Sequence, residues 1–136
     1  MLYFSMKKFV NIAVVILGVF LIITSAYSGS KKKPIILYLF WAEGCPYCEN
    51  EKHFLLTLKQ KYSNLEIKDY EVLYNPSSRQ LLQTISKAYN IKPSGVPVTF
   101  VGNRALVGFT EKIASQIEET IEYCNKNSCE DPLYKK

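Results

Sequence analysis

Four cysteines carry the chemistry open to this 136-residue chain. The first two stand in Cys45-Pro46-Tyr47-Cys48, directly after an unbroken apolar run, Ile35 to Ala42, and at the opening of a helix-like segment that begins at about Glu49. A thiol at the first turn of a helix faces unpaired backbone N–H groups and the positive end of the helix dipole. Both stabilise the thiolate, which is the nucleophile. With two residues between them, the second thiol can reach back over one turn and close a small, reversible disulfide. Cys45 and Cys48 are therefore a candidate redox centre whose only cofactor is its own disulfide.

Cys124 and Cys129 form a different kind of pair. Four residues separate them, two of them asparagine, which suits a turn beyond a last helix better than a catalytic helix start. A structural disulfide here would close a six-residue loop, contribute about 2 kcal/mol on the chain-entropy model, and point to an oxidising compartment. Two other readings are open. The pair could relay electrons to or from Cys45 and Cys48, or all four cysteines could converge on zinc or copper as a metal-binding module. Zinc knuckles usually draw both pairs from short turns, whereas a strand and a helix frame Cys45 and Cys48. His53, the only histidine, could lie on the side of the helix that bears Cys45, but it reads better as a solvated surface residue.

The elements that must position these residues follow as strand, helix, strand, helix, two strands, helix. Ile35 to Trp41 has the continuous apolar character of a central strand covered on both faces. Phe54, Leu55, Leu58 and Tyr62 then recur at helical spacing and should pack on a sheet. Ile67 to Leu73 is a second strand candidate. Asn75-Pro76-Ser77-Ser78 ends it, and Ser77 with Gln80 three residues later gives a capping-box signal for a helix carrying Leu81, Leu82, Ile85, Ala88 and Tyr89. Val98 to Val101 and Ala105 to Val107 flank Gly102-Asn103-Arg104, which suits a hairpin turn. Thr110 can cap the last helix, with Ile113, Ile117, Ile121 and Cys124 on one face.

Upstream of the domain, expected over residues 31–136, residues 1–30 read as a signal peptide or an N-terminal membrane anchor. Lys7 and Lys8 precede Phe9 to Tyr27, 19 residues without a charge. As a helix this span would be roughly 28 Å long, close to the hydrocarbon thickness of a bilayer. Ala26-Tyr27-Ser28 also offers small residues where a signal peptidase reads. The net charge of +5 owes +2 to Lys7 and Lys8; from Gly29 onward 15 basic side chains face 12 acidic ones. They form no basic stripe, so nucleic acid is not an expected partner.

The element order, with Cys-x-x-Cys between first strand and first helix, resembles the thioredoxin superfamily in its smaller, glutaredoxin-sized form. Three separated stretches carry the likeness: Phe40-Trp41-Ala42-Glu43-Gly44-Cys45-Pro46-Tyr47-Cys48, then Gly95-Val96-Pro97-Val98-Thr99-Phe100, then the hairpin leading to Gly108-Phe109 and a terminal helix. The resemblance implies an α/β, thioredoxin-like fold: a four-stranded mixed sheet in the order β-α-β-α-β-β-α with helices on both faces. It further implies that Cys45 attacks, that Cys48 resolves the mixed disulfide, that the Val96-Pro97 bond is cis, and that Pro46, Tyr47, Val96 and Pro97 form the substrate-binding surface. Trp41 is expected beside them.

The departures from that pattern bear on the chemistry. Thioredoxins carry a buried acid on the strand before the motif, and Leu39 stands at that position, so that proton route is expected to be missing. Glu43 could stand in through water, or be a surface charge only. Glutaredoxins that use glutathione usually have a basic residue just before the motif and a Gly-Gly-x-Asp-like run after the hairpin. Glu43-Gly44 and Gly108-Phe109-Thr110-Glu111 occupy those places, which argues against glutathione. The expected protein is an exported, monomeric thiol-disulfide oxidoreductase that exchanges disulfides with protein cysteines and is recycled by a redox partner. It would work in the periplasm or on the outer face of the membrane, anchored or released. A non-catalytic binding protein on the same scaffold is the other alternative.

Overall fold

The computed structural model describes residues 32–136, so the signal or anchor expected over residues 1–30 lies outside the described residues. The elements are β1 (Ile35–Trp41), α1 (Pro46–Lys61), β2 (Leu65–Glu71), α2 (Pro76–Ala88), β3 (Val98–Val101), β4 (Arg104–Val107) and α3 (Glu111–Asn127), followed by a 3-10 turn, Pro132–Tyr134. The strands form one sheet in the order β2-β1-β3-β4. β1 runs parallel to β2 and antiparallel to β3, and β3 and β4 make the hairpin. This is the mixed four-stranded, thioredoxin-like fold that the sequence resemblance implied.

Alternation along β1 divides the core. Leu37 and Leu39 face one side and meet Leu55 and Leu58 of α1 and Ile117 and Ile121 of α3, whereas Tyr38 and Phe40 face the other and meet Ile85 of α2 and Phe100. Both faces of β1 are thus apolar and covered, which is why its sequence shows no polar alternation. The outer strand β2 keeps Glu66 and Asp69 exposed, and charges of this kind discourage pairing of a free sheet edge with another chain.

Two helix starts fall earlier than the sequence reading placed them. α1 begins at Pro46, not at about Glu49, with Cys45 as its N-cap; α2 begins at Pro76, capped by Asn75 rather than Ser77. In both, proline takes the first helical position, where its fixed φ is already helical and its missing N–H would have been unpaired anyway. Asn75 Oδ1 accepts from the backbone N–H groups of Ser77 and Ser78, at 3.1 and 3.2 Å. β2 is also displaced, covering Leu65–Glu71 instead of 67–73. The Glu71 carboxylate shapes the loop that follows, accepting from Leu73 N–H at 2.6 Å and Tyr74 N–H at 2.8 Å.

Beyond α3 the chain crosses from one face of the sheet to the other. Cys124 and Cys129 pack with the α1/α3 side. A few residues on, Asp131 accepts from Tyr38 Oη at 3.5 Å and lies 3.6 Å from Lys68 Nζ, and the Lys135 ammonium sits 4.1 Å from the centre of the Tyr89 ring. Tyr38 and Tyr89 belong to the α2 side. The Cys124–Cys129 disulfide marks the crossing point.

Candidate active site

β1 delivers the chain to the C-terminal edge of the sheet, where Ala42 to Gly44 turn it into α1. Cys45 and Cys48 are joined in a disulfide, with Cα atoms 5.3 Å apart. Because Cys45 is the N-cap, its Sγ accepts from the Cys48 N–H at 3.2 Å. A sulfur at the cap faces the free N–H groups of the first turn, so a helix that starts at Pro46 places Cys45 well to hold a stabilised thiolate. Cys45 is partly exposed, whereas Cys48 is completely buried.

The wall opposite comes from the start of β3. The antiparallel register pairs Phe40 with Val98, which sets the preceding residues, Val96 and Pro97, beside the turn that follows β1. The Val96-Pro97 peptide bond is cis. The Val96 carbonyl oxygen is 4.0 Å from Cys45 Sγ, and the Pro97 carbonyl accepts from Gly108 N–H at 2.7 Å, which ties the loop to the end of the hairpin. Pro97 is buried, Val96 half-buried, and Pro46 and Tyr47 are exposed, Tyr47 at 62%. The six residues singled out as catalytic or substrate-binding are thus brought to one place.

The other sequence-nominated residues have varied surroundings. Trp41 is half-buried; its indole N–H donates to Asp69 Oδ1 at 3.0 Å and the Lys52 ammonium lies over its ring, while Lys52 also pairs with Glu49 at 2.9 Å. Glu43 and His53 are exposed. Phe109 is turned inward, 5.7 Å between ring centres from Phe54. Cys124 and Cys129 lie at the other end of β3, against Gly102. Five residue steps separate Pro97 from Gly102, roughly 17 Å of strand. The four cysteines therefore do not converge, as a shared metal would require.

Glu51 was absent from the sequence reading. Its side chain is completely buried, Thr99 Oγ1 donates to its Oε1, and its Oε2 has no partner among the described residues. Burial drives its carboxyl pKa up to about 7, partly offset by the Thr99 hydrogen bond. The signal was available: Glu51 lies three residues after Cys48 and four before Leu55, on the same buried stripe of α1.

A redox disulfide at the N-cap of the first helix, facing a cis-proline across a four-stranded mixed sheet, defines a thioredoxin-fold thiol-disulfide oxidoreductase. The chain belongs to the glutaredoxin family, whose sequence model, glutaredoxin, matches residues 35–106. Solved structures with the same fold include HBP35 of Porphyromonas gingivalis, at 22% identity and a TM-score of 0.53 over 75% of this chain and 36% of that one. Another is a Chlorobium tepidum protein described as a thiol:disulfide interchange protein, DsbE, at 16% identity and a TM-score of 0.51 over 68% of this chain and 81% of that one. A thioredoxin-like protein of Clostridium perfringens aligns at 20% identity and a TM-score of 0.50, over 69% and 73% of the two chains. No curated protein sequence matches.

Proposed function

We propose that this oxidoreductase exchanges disulfides with protein cysteines outside the cytoplasm, using Cys45 as nucleophile and Cys48 as resolving thiol. The observation that carries this reading is the asymmetry of the pair: Cys45 is reachable and capped onto the helix, and Cys48 is sealed beneath it. In the reducing direction the Cys45 thiolate attacks a substrate disulfide, forming a mixed disulfide and releasing one substrate thiolate. Cys48 then attacks Cys45 Sγ, the second substrate thiolate leaves, and two electrons have passed from the site to the substrate. Run backwards, the same steps install a disulfide in the substrate. Val96, Pro97, Pro46 and Tyr47 would form the surface on which the substrate segment lies.

Support for an exported domain spanning residues 31–136 comes from the lysine-flanked apolar segment, read as a signal or anchor, and from the second disulfide, which suits an oxidising compartment. A protein partner rather than glutathione fits the inward-turned Phe109, which stands where glutathione-using members carry a polar run. The relative described as a thiol:disulfide interchange protein agrees with this. Full-length protein with Cys48→Ala should accumulate Cys45-linked mixed disulfides, visible on non-reducing gels after acid quenching. If Cys48→Ala captures no protein while Cys45 remains alkylatable, exchange with protein cysteines is the wrong reading.

A further inference from the structure

We propose that Glu51, oriented by Thr99, is the proton acceptor that activates Cys48 for the resolving step. This builds on the exchange reaction proposed above. Three placements point to it. Glu51 follows Cys48 by three residues on α1, a spacing that puts two side chains side by side on one helix face, and both are completely buried. Its carboxylate crosses to β3 and binds Thr99, which is paired in the sheet with Leu39. The acid therefore arrives from the helix at the rung where β1 itself supplies only an aliphatic side chain. Its second oxygen, Oε2, is buried without a hydrogen-bond partner among the described residues. An unpaired buried acceptor is costly to keep, and here it belongs to the residue one helical turn on from Cys48, the buried sulfur of the pair.

The step balances within the site. The Cys48 thiol passes its proton to the Glu51 carboxylate; the Cys48 thiolate attacks Cys45 Sγ of the mixed disulfide; the Cys45–substrate S–S bond breaks as the Cys45–Cys48 bond forms. The substrate thiolate leaves with the electron pair, and Glu51 later returns its proton to solvent. No charged side chain of β1, β3, β4 or α3 shifts Glu51, which responds to burial and to Thr99. On its own helix Glu49 and Lys52 pair with each other. With a carboxyl titrating at about 7, Glu51 is well matched to act as a base near neutral pH.

Full-length protein reduced at Cys45–Cys48, with Cys124–Cys129 left oxidised, separates the two steps when mixed with 5,5′-dithiobis(2-nitrobenzoate). The first thionitrobenzoate release, from attack by Cys45, depends on reagent concentration; the second, from attack by Cys48, does not. In the wild type the second rate should rise with pH through an inflection near 7. Glu51→Gln should slow it by roughly tenfold or more at pH 7, a general-base effect, remove the inflection, and leave the first rate within about twofold. Thr99→Val should move the inflection to higher pH, since the lost hydrogen bond favoured the ionised carboxylate. A second rate and pH profile unchanged in Glu51→Gln would overturn the assignment; should that variant not fold, an unmoved inflection in Thr99→Val does so alone. Loss of the first release from the wild type would instead count against Cys45 as the nucleophile.

Discussion

The two disulfides of this domain sit at opposite ends of β3 in opposite surroundings. Cys45–Cys48 bridges the start of a helix, with one sulfur reachable and a buried, half-satisfied acid nearby. Cys124–Cys129 bridges the end of a helix and packs against the β3–β4 turn. Gly102 in that turn has φ +54°, and a Cβ there would lie 2.9 Å from Cys124 Sγ and 3.1 Å from Cys129 Sγ. From the other face of the sheet, Tyr89 Oη donates to the Gly102 carbonyl at 2.6 Å. One end of the sheet thus carries features that cost stability and enable chemistry. The other end is clamped from both faces, and the C-terminal tail crosses over there. Sulfur–sulfur exchange needs contact, so the length of β3 keeps the two pairs chemically separate and favours the structural reading of the second.

The largest expected effect separates the pairs by activity. Cys45→Ser should reduce disulfide exchange to the uncatalysed background in an insulin-reduction or thiol-oxidation assay, whereas Cys124→Ala/Cys129→Ala should keep it while folded. Exchange lost from the folded double variant would revive the electron relay.

Next comes stability at the catalytic end. The Glu51 carboxyl is raised from 4.5 to about 7, so its stabilising contribution is complete below about pH 4.5 and lost as pH rises through 7. That loss amounts to about 3 kcal/mol at pH 8. Denaturant unfolding of oxidised Glu51→Gln should show this fall abolished between pH 4 and 8; a wild-type fall retained in the variant would place its origin elsewhere.

At the clamped end the sign reverses. Cys124→Ala/Cys129→Ala should lower stability by about 2 kcal/mol, or about 10 °C in Tm for a domain of this size, measured by thermal melting. Gly102→Ala should cost about 1 kcal/mol for its positive φ alone, with a further penalty from the two sulfurs. That further penalty should vanish in the Cys124→Ala/Cys129→Ala background, so a double-mutant cycle should be non-additive; simple additivity would mean that the turn yields without touching the disulfide.

Much of the catalytic end was legible in the chain because its signals are local. Cys-x-x-Cys after an apolar run locates the redox pair, and the likeness of Gly95-Val96-Pro97 to the thioredoxin pattern locates the opposing loop. The shifted caps at Cys45 and Asn75 were within reach too, since both precede a proline, and proline favours the first helical position. A serine three residues before a glutamine was the weaker signal and misplaced the start of α2.

Pro97 was reached through the family resemblance, whereas periodicity and motif spacing were sufficient for the order of elements, the continuous burial of β1, and the nomination of Cys45 and Cys48. These follow from side-chain patterns within ten or so residues. Only the folded chain could reveal that Glu51 is sealed from water and held by Thr99, because that depends on the register of β3 against β1 and on cover from elements far away in sequence. The same holds for Gly102, gripped by the sulfurs of Cys124 in α3 and Cys129 beyond it, and by Tyr89 at the end of α2. A charge on a helix is cheap or costly according to what is packed over it, and the residues that do the covering are set by tertiary contacts.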